Sequence, residues 1–245
     1  IESKKFYCPY FNNKKIKNFM FYKLDINKNM LKILDLLNKF KPNYIINYSA
    51  QSMVGESWNS PLDWYRTNVI GTIDLIENIK KKKYIKKYIH FSTPEVYGST
   101  RSNVSENNFF NPSTPYAVSR AAADFHINLL NKEINFPSII TRASNVYGEY
   151  QDLYRIIPIT ILKIMKKEKM YLHGGGLSKR SFIHIDDVNK ALHKIIVKGE
   201  IGETYHISTQ EKISIKNLVK KICRKMSYNF NDLVVKSEDR VGKDK

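Results

Sequence analysis

"YIHFSTPEVYGS", residues 88–99, decides how this chain folds. It opens as a short apolar run with aromatic and β-branched residues, the makings of a buried strand. The run then stops, and Ser92, Thr93, Glu95 and Tyr97 crowd around Pro94. A strand that empties into hydroxyls and a carboxylate is either an ordinary strand end or the edge of a site. The elements on either side choose between the two.

Upstream, "FMFYKLDI" (19–26) reads as a strand and "NMLKILDLLNKF" (29–40) as a helix, with Met30, Leu31, Leu34 and Leu37 on one face. "NYIINYSA" (43–50) is a further strand. The helix over 60–82 opens with Ser60 as N-cap, Pro61 at the first helical position and Asp63 in the first turn. Downstream, a helix starts near Thr114 and runs to about Glu133, and "SIITRAS" (138–144) is the next strand. Strands that alternate with helices of this length predict an α/β fold, a Rossmann-like doubly wound parallel sheet. After about residue 150 the elements shorten: helices near 155–167, 187–198 and 214–226, strands at 170–173, 181–185 and 204–208. The division expected is the doubly wound region over 1–150 and a smaller, ligand-facing region over 151–245. The second would fold over the carboxyl ends of the strands, where open α/β sheets bind ligands.

Composition narrows the class. The chain has 245 residues, 42% of them hydrophobic, enough for one large α/β domain with an appendage. No apolar run approaches the ~18 residues of a membrane span. Two cysteines, Cys8 and Cys223, give neither a disulfide framework nor a metal spacing, so no metal is expected and a reducing cytoplasm is the default. The net charge of +18 raises nucleic-acid binding, but the lysines are scattered and no nucleic-acid motif accompanies them. They read as a compositional bias on solvated faces. "KKKYIKK" (81–87) fits a helix end, where cations complement the dipole. The chain begins at Ile1 and ends in "DRVGKDK", and it reads as a fragment at both ends.

Two features carry chemistry. In "YAVSR", Tyr116 and Arg120 lie four apart, so a helix puts them on one face. A tyrosine with an ordinary pKa near ~10 needs a shift of roughly three units to act as a base near neutrality, and a cation one turn away supplies part of it. Glu95, just past a buried strand, has the position of a general base. Each alone is more simply a surface residue. Together, at the carboxyl edge of one parallel sheet, they mark a site.

With these residues in place, the chain resembles the extended short-chain dehydrogenase/reductase enzymes that modify nucleotide sugars, the dTDP-glucose 4,6-dehydratases above all. "NYSAQS", "YRTNVIGT", "STPEVYG", "TPYAVSR", "SNVYG", "RIIP", "HGGGLSKRSFIHIDDV" and "DRVGKD" match that family's motifs in order, over nearly the whole chain. The resemblance implies a tightly held NAD that is regenerated in each cycle. It implies that Tyr116 takes the proton of the sugar's 4-hydroxyl, that Thr93 bonds the 4-oxygen and that Glu95 removes the C5 proton. Water then leaves from C6 and the product is a 4-keto-6-deoxy sugar nucleotide. Asp25, Ile26, Tyr48, Ser49, Ala50, Gln51 and Thr67, with Tyr116 and Arg120, are implied to touch NAD. Ser52, Thr93, Asn145, Arg155, Arg180 and Arg240 are implied to hold the nucleotide-diphosphate sugar. A homodimer through a four-helix bundle of the 60–82 and 114–134 helices is implied as well.

The chain departs from that pattern at named positions. No G-x-x-G-x-x-G opens a helix, and Gly174–Gly176 reads as a turn, so these 245 residues are expected to bind NAD weakly or not at all. Arg120 stands where the family has lysine, which keeps the charge but not the geometry. Pro94 replaces an acidic residue, leaving Glu95 to hand the C5 proton to the departing oxygen, or leaving elimination out altogether in a 4-epimerase. Ser181 and Val241 replace Asp and Pro. A basic binding protein on the same fold is the non-enzymatic alternative.

Overall fold

The computed structural model describes residues 18–100 and 102–237. In chain order the strands are β1 (Tyr44–Asn47), β2 (Lys87–Ser92), β3 (Ser138–Ala143), β4 (Asn145–Tyr147), β5 (Met170–His173), β6 (Lys179–Arg180), β7 (Phe182–His184), β8 (Thr204–Ile207), β9 (Ile213–Ser214) and β10 (Val234–Ser237). A parallel sheet runs in the order β1-β2-β3-β8. The pairing of β2 with β3 holds Ser92 opposite Arg142 at the carboxyl edge. The fourth strand comes from beyond residue 150, so the later chain returns to complete the sheet.

Both faces of this sheet are covered, which is why β3 is buried at every position. Alternate residues of β2 and β3 feed two apolar layers. Tyr88 and Ile140 point toward one, with Leu75, Ile76, Ile79 and Ile127 from the helices Thr72–Ile79 and Pro115–Ile134. The amphipathic helix Met30–Phe40 packs on the same layer through Met30, Ile33, Leu34 and Leu37. Ile89 and Ile139 point to the other layer, against Val188, Leu192 and Ile195 of the helix Ile185–Lys198. Burying each such side chain stabilises the fold by about 1.5–3 kcal/mol. A third cluster, with Ile164, Met170, Leu172, Val219, Cys223 and Leu233, joins β5 and β10 to the helices Ile156–Met165 and Ile215–Lys225.

Three sequence expectations change. Residues 19–26 form no strand, because they pair with no other strand among the described residues and an apolar run becomes a strand only through a ladder. The helix opened by Pro61 is α-helical over Pro61–Trp64, π-helical over Tyr65–Gly71 and α-helical again over Thr72–Ile79; Ser60 holds the N-cap position without a side-chain capping bond. The lysine run 81–87 lies past that helix. It forms the turn into β2, with Ile85 buried at its centre and the Lys87 Nζ donating to the Ile196 carbonyl at 2.8 Å. Gly174–Gly176 is a turn, with positive φ at all three residues. Cys8 lies outside the described residues.

Candidate active site

Everything in the opening stretch is organised by the end of β2. Thr93 leaves the strand in extended conformation and N-caps a short 3-10 turn, Pro94–Tyr97, by accepting a hydrogen bond from the Glu95 N–H at 3.3 Å. Pro94 occupies the first position of that turn, where a missing N–H costs nothing and a fixed φ favours the geometry. Gly98 ends the turn at φ 67°, and a side chain there would meet the Asn111 carbonyl oxygen 2.1 Å away. The turn is therefore clamped, and Glu95 is held half-buried over a cleft of about 1790 Å³.

The second element at the cleft is the helix Pro115–Ile134. Thr114 caps it by accepting from the Ala117 N–H at 3.1 Å, and Pro115 takes the first position. Tyr116 is then buried at the cleft, hydrogen-bonded to Thr93 and within electrostatic reach of Arg120, Glu95 and Arg155. The four residues expected to be catalytic are thus brought together. The expected acidification of Tyr116 is not the outcome. Burial pushes its phenol above the ordinary value and the Glu95 carboxylate adds to that, outweighing Arg120, Thr93 and Arg155, which pull the other way. A charged phenolate is costly in so dry a place, and one cation does not offset the cost.

A smaller cleft of about 500 Å³ lies beside the first, lined by Asp25, Ile26, Asn27, Ser49, Gln51 and Thr67. The segment 48–52 divides the two. Tyr48, Ala50 and Ser52 line the larger cleft while Ser49 and Gln51 line the smaller, the alternation of an extended chain. The π-helical segment brings Thr67 and Asn68 inward. Asn68 binds both backbone groups of Gln51, at 2.8 and 3.1 Å, and the Ser119 hydroxyl at 2.9 Å. Thr67 accepts from Asn27 at 2.9 Å, and Gly71 lets the 25–27 turn come close, since a Cβ there would lie 2.9 Å from the Asn27 Oδ1.

Beneath the cleft lies a buried polar network that the sequence reading missed. Asp124 Oδ2 accepts from Ser92 at 2.9 Å and from Arg142 Nη2 at 3.0 Å, and both charged side chains are fully buried. Arg142 also donates to the Tyr97 hydroxyl, which bonds His206 at 2.9 Å. Two signals were present in the sequence. Asp124 lies four residues after Arg120 on the same helix face, and Arg142 is a charge in the middle of an apolar strand.

A family model described as GDP-mannose 4,6 dehydratase matches residues 6–245. The chain belongs to that family. It is 35% identical over 232 residues to a dTDP-D-glucose 4,6-dehydratase of Dictyostelium discoideum, an alignment covering 88% of this chain and 53% of that protein. A mouse dTDP-D-glucose 4,6-dehydratase is 34% identical over 208 residues, covering 84% of this chain and 58% of its own length. This chain therefore spans little more than half the length of these curated relatives. A dTDP-glucose 4,6-dehydratase of Streptomyces venezuelae, solved with NAD bound, superposes with a TM-score of 0.87 at 27% identity, over 94% of this chain and 70% of that one. The UDP-glucose 4-epimerase of Thermotoga maritima, at 24% identity and a TM-score of 0.82, shares the fold.

In this member of the GDP-mannose 4,6 dehydratase family, Ser52, Asn145, Arg155 and Arg180, four of the positions expected to hold a substrate, line the larger cleft. Arg155 precedes the helix Ile156–Met165 and donates to the Ser52 hydroxyl at 3.2 Å. Arg180 lines the same cleft and bonds the Lys179 carbonyl at 3.0 Å; Asn145 turns its amide to the Ser181 carbonyl at 3.2 Å. Arg240 lies outside the described residues. Tyr48 packs its ring 4.7 Å from that of Phe91, and burial pushes its phenol up. Among the described residues no group of His, Cys, Asp and Glu could hold a metal ion.

Proposed function

We propose that this chain carries the catalytic core of an NAD-dependent nucleotide-sugar 4,6-dehydratase, a hydro-lyase that forms a 4-keto-6-deoxy sugar nucleotide. The observation that carries this reading is the convergence of Glu95, Thr93 and Tyr116 on one cleft beside Arg120. The names of the two curated relatives described above agree with it.

The residues present fit a dinucleotide. Arg120 lines the cleft, and two of its guanidinium nitrogens, Nε and Nη1, are buried without a hydrogen-bond partner, a costly arrangement unless a ligand completes it. Asp25, Ile26, Ser49, Gln51 and Thr67 would hold one end of NAD in the smaller cleft, and Tyr116 and Arg120 the other. When bound, NAD supplies reversible hydride storage, accepting from C4 and returning to C6.

The protein's own residues do the proton work. Tyr116, bonded to Thr93, takes the 4-hydroxyl proton as the C4–H bond breaks. The ketone so formed acidifies C5–H, and Glu95 removes that proton. With proline at 94, the protonated Glu95 is the nearby acid, and it returns the proton to the C6 oxygen as the C–O bond breaks and water leaves. To close the cycle C5 takes up a proton and Tyr116 gives up the one it holds, so both residues end in their starting states. Arg155 and Arg180 supply forked donors suited to the diphosphate.

Homodimerisation is part of the proposal. Leu62 and Ile70 on one helix, and Val118, Phe125 and Leu129 at helical spacing on the other, are exposed apolar residues. A packed helical interface would cover them. No helix among the described residues is long and apolar enough to cross a membrane.

Pro94 favours a second reading, a 4-epimerase that never eliminates water. The test is the product of the full-length natural protein with dTDP-glucose and UDP-glucose. Mass spectrometry showing loss of one water supports dehydration; conversion without a mass change supports epimerisation.

A further inference from the structure

We infer that His90 is the positioning residue that lets an arginine serve at position 120. The inference rests on the dehydratase reading only for the reaction that Arg120 assists.

The argument starts from what a guanidinium can do. It has donors and no acceptor. Arg120 Nη2 lies 3.2 Å from His90 Nε2 and also donates to the Phe91 carbonyl. Nε2 must then be the lone-pair nitrogen, so the ring is neutral with its proton on Nδ1. Both hydrogens of that one –NH₂ group are engaged, one by the imidazole and one by the strand. A planar group held at one corner by two acceptors cannot rotate, and its other two nitrogens, Nε and Nη1, are buried without a partner in a residue that lines the cleft.

The surroundings favour the neutral ring, whose Nδ1 has no hydrogen-bond partner. His90 is fully buried in β2, and burial together with Arg120 and Arg142 holds its imidazole well below the ordinary range. The nearest carboxylate oxygen, Asp124 Oδ1, is 3.8 Å from Nε2, too far for a hydrogen bond. It balances the two cations without competing for the lone pair. An arginine has a long, rotamer-rich stem, and a fixed corner removes most of the freedom that would otherwise blur its aim. A lysine ammonium, with three donors on a rotating tip, needs no such clamp.

The test is a double-mutant cycle in the full-length natural protein, reading NAD affinity by fluorescence titration and kcat and KM with dTDP-glucose. His90→Phe is expected to weaken NAD binding about tenfold and lower kcat more than about 30-fold, with KM within about threefold. His90→Gln, which keeps an acceptor, is expected to stay within about threefold of wild type on every measure. In an Arg120→Lys background, His90→Phe is expected to cost less than about threefold. Equal losses from His90→Phe in both backgrounds, a Gln variant as impaired as Phe, or absence of NAD binding by wild type would each overturn the assignment. His90→Leu replaces the Phe variant if that protein does not fold. Coupling in NAD affinity without any turnover of dTDP- or UDP-glucose would sink the dehydratase reading and leave the His90 assignment standing.

Discussion

Arg155 reaches Ser52 across 103 residues of chain, Nη2 to Oγ at 3.2 Å. The contact ties the start of the helix Ile156–Met165 to the segment that divides the two clefts. It also places a cation close enough to Tyr116 to favour its ionised form. Arg155→Ala should therefore raise KM for the nucleotide sugar about tenfold, through the lost diphosphate contact, with kcat within about threefold at the optimum. Steady-state kinetics check this; an unchanged KM would remove Arg155 from the substrate site.

The sign of the Tyr116 coupling gives a pH prediction. Burial, then the Glu95 charge, raise the phenol, while Arg120 and Arg155 lower it. Replacing Glu95 by neutral Gln removes a raising influence, so the Tyr116 pKa falls. The alkaline-rising limb of C4 oxidation, followed as reduced nicotinamide in a single turnover, should move to lower pH in Glu95→Gln. It should move to higher pH in Arg155→Ala. Shifts in the same direction in both variants would contradict the arrangement.

His90 makes a prediction about acid stability. Its pKa is near ~6.5 in the unfolded chain and well below the ordinary value when folded. Between those values the unfolded chain binds one more proton, so stability is present above the unfolded pKa and falls as pH drops through the window. The slope from this residue is at most about 1.4 kcal/mol per pH unit. Urea unfolding at several pH values from 7 to 5 should show a steeper loss in wild type than in His90→Gln. Parallel slopes would mean that His90 is not buried in neutral form.

Asp124 and Arg142 are a buried ion pair whose single loss leaves an uncompensated charge. Asp124→Ala should cost about 3–5 kcal/mol in denaturant unfolding, whereas the double change Asp124→Leu with Arg142→Met should cost less than either single change. Additive losses would show that the two residues do not act as a pair.

The order of strands and helices was readable because each element carries its own period, as in "NMLKILDLLNKF" or the apolar run at 138–144. The convergence of Glu95 and Tyr116 was readable because parallel strands deliver successive loops to one sheet edge. Other features were not. The partners of Asp124 at Ser92 and Arg142 lie 32 and 18 residues away, and periodicity reports burial, not pairing. The π-helical turn at Tyr65–Gly71 has no residue signature, and its inward Asn68 looked like any helical polar residue. Residues 19–26 had the composition of a strand without a pairing partner among the described residues. The pKa of Tyr116 turned on burial, which the four-residue spacing to Arg120 does not encode.

Glu95 is the residue on which the dehydratase reading rests, and one variant tests it. Full-length Glu95→Gln protein is mixed with NAD and dTDP-glucose, and both reduced nicotinamide and product mass are followed in a single turnover. The predicted result is accumulation of reduced nicotinamide, from C4 oxidation by the intact Tyr116 centre, with water loss slowed at least about 100-fold. Water loss at the wild-type rate in this variant would contradict the assignment of elimination to Glu95.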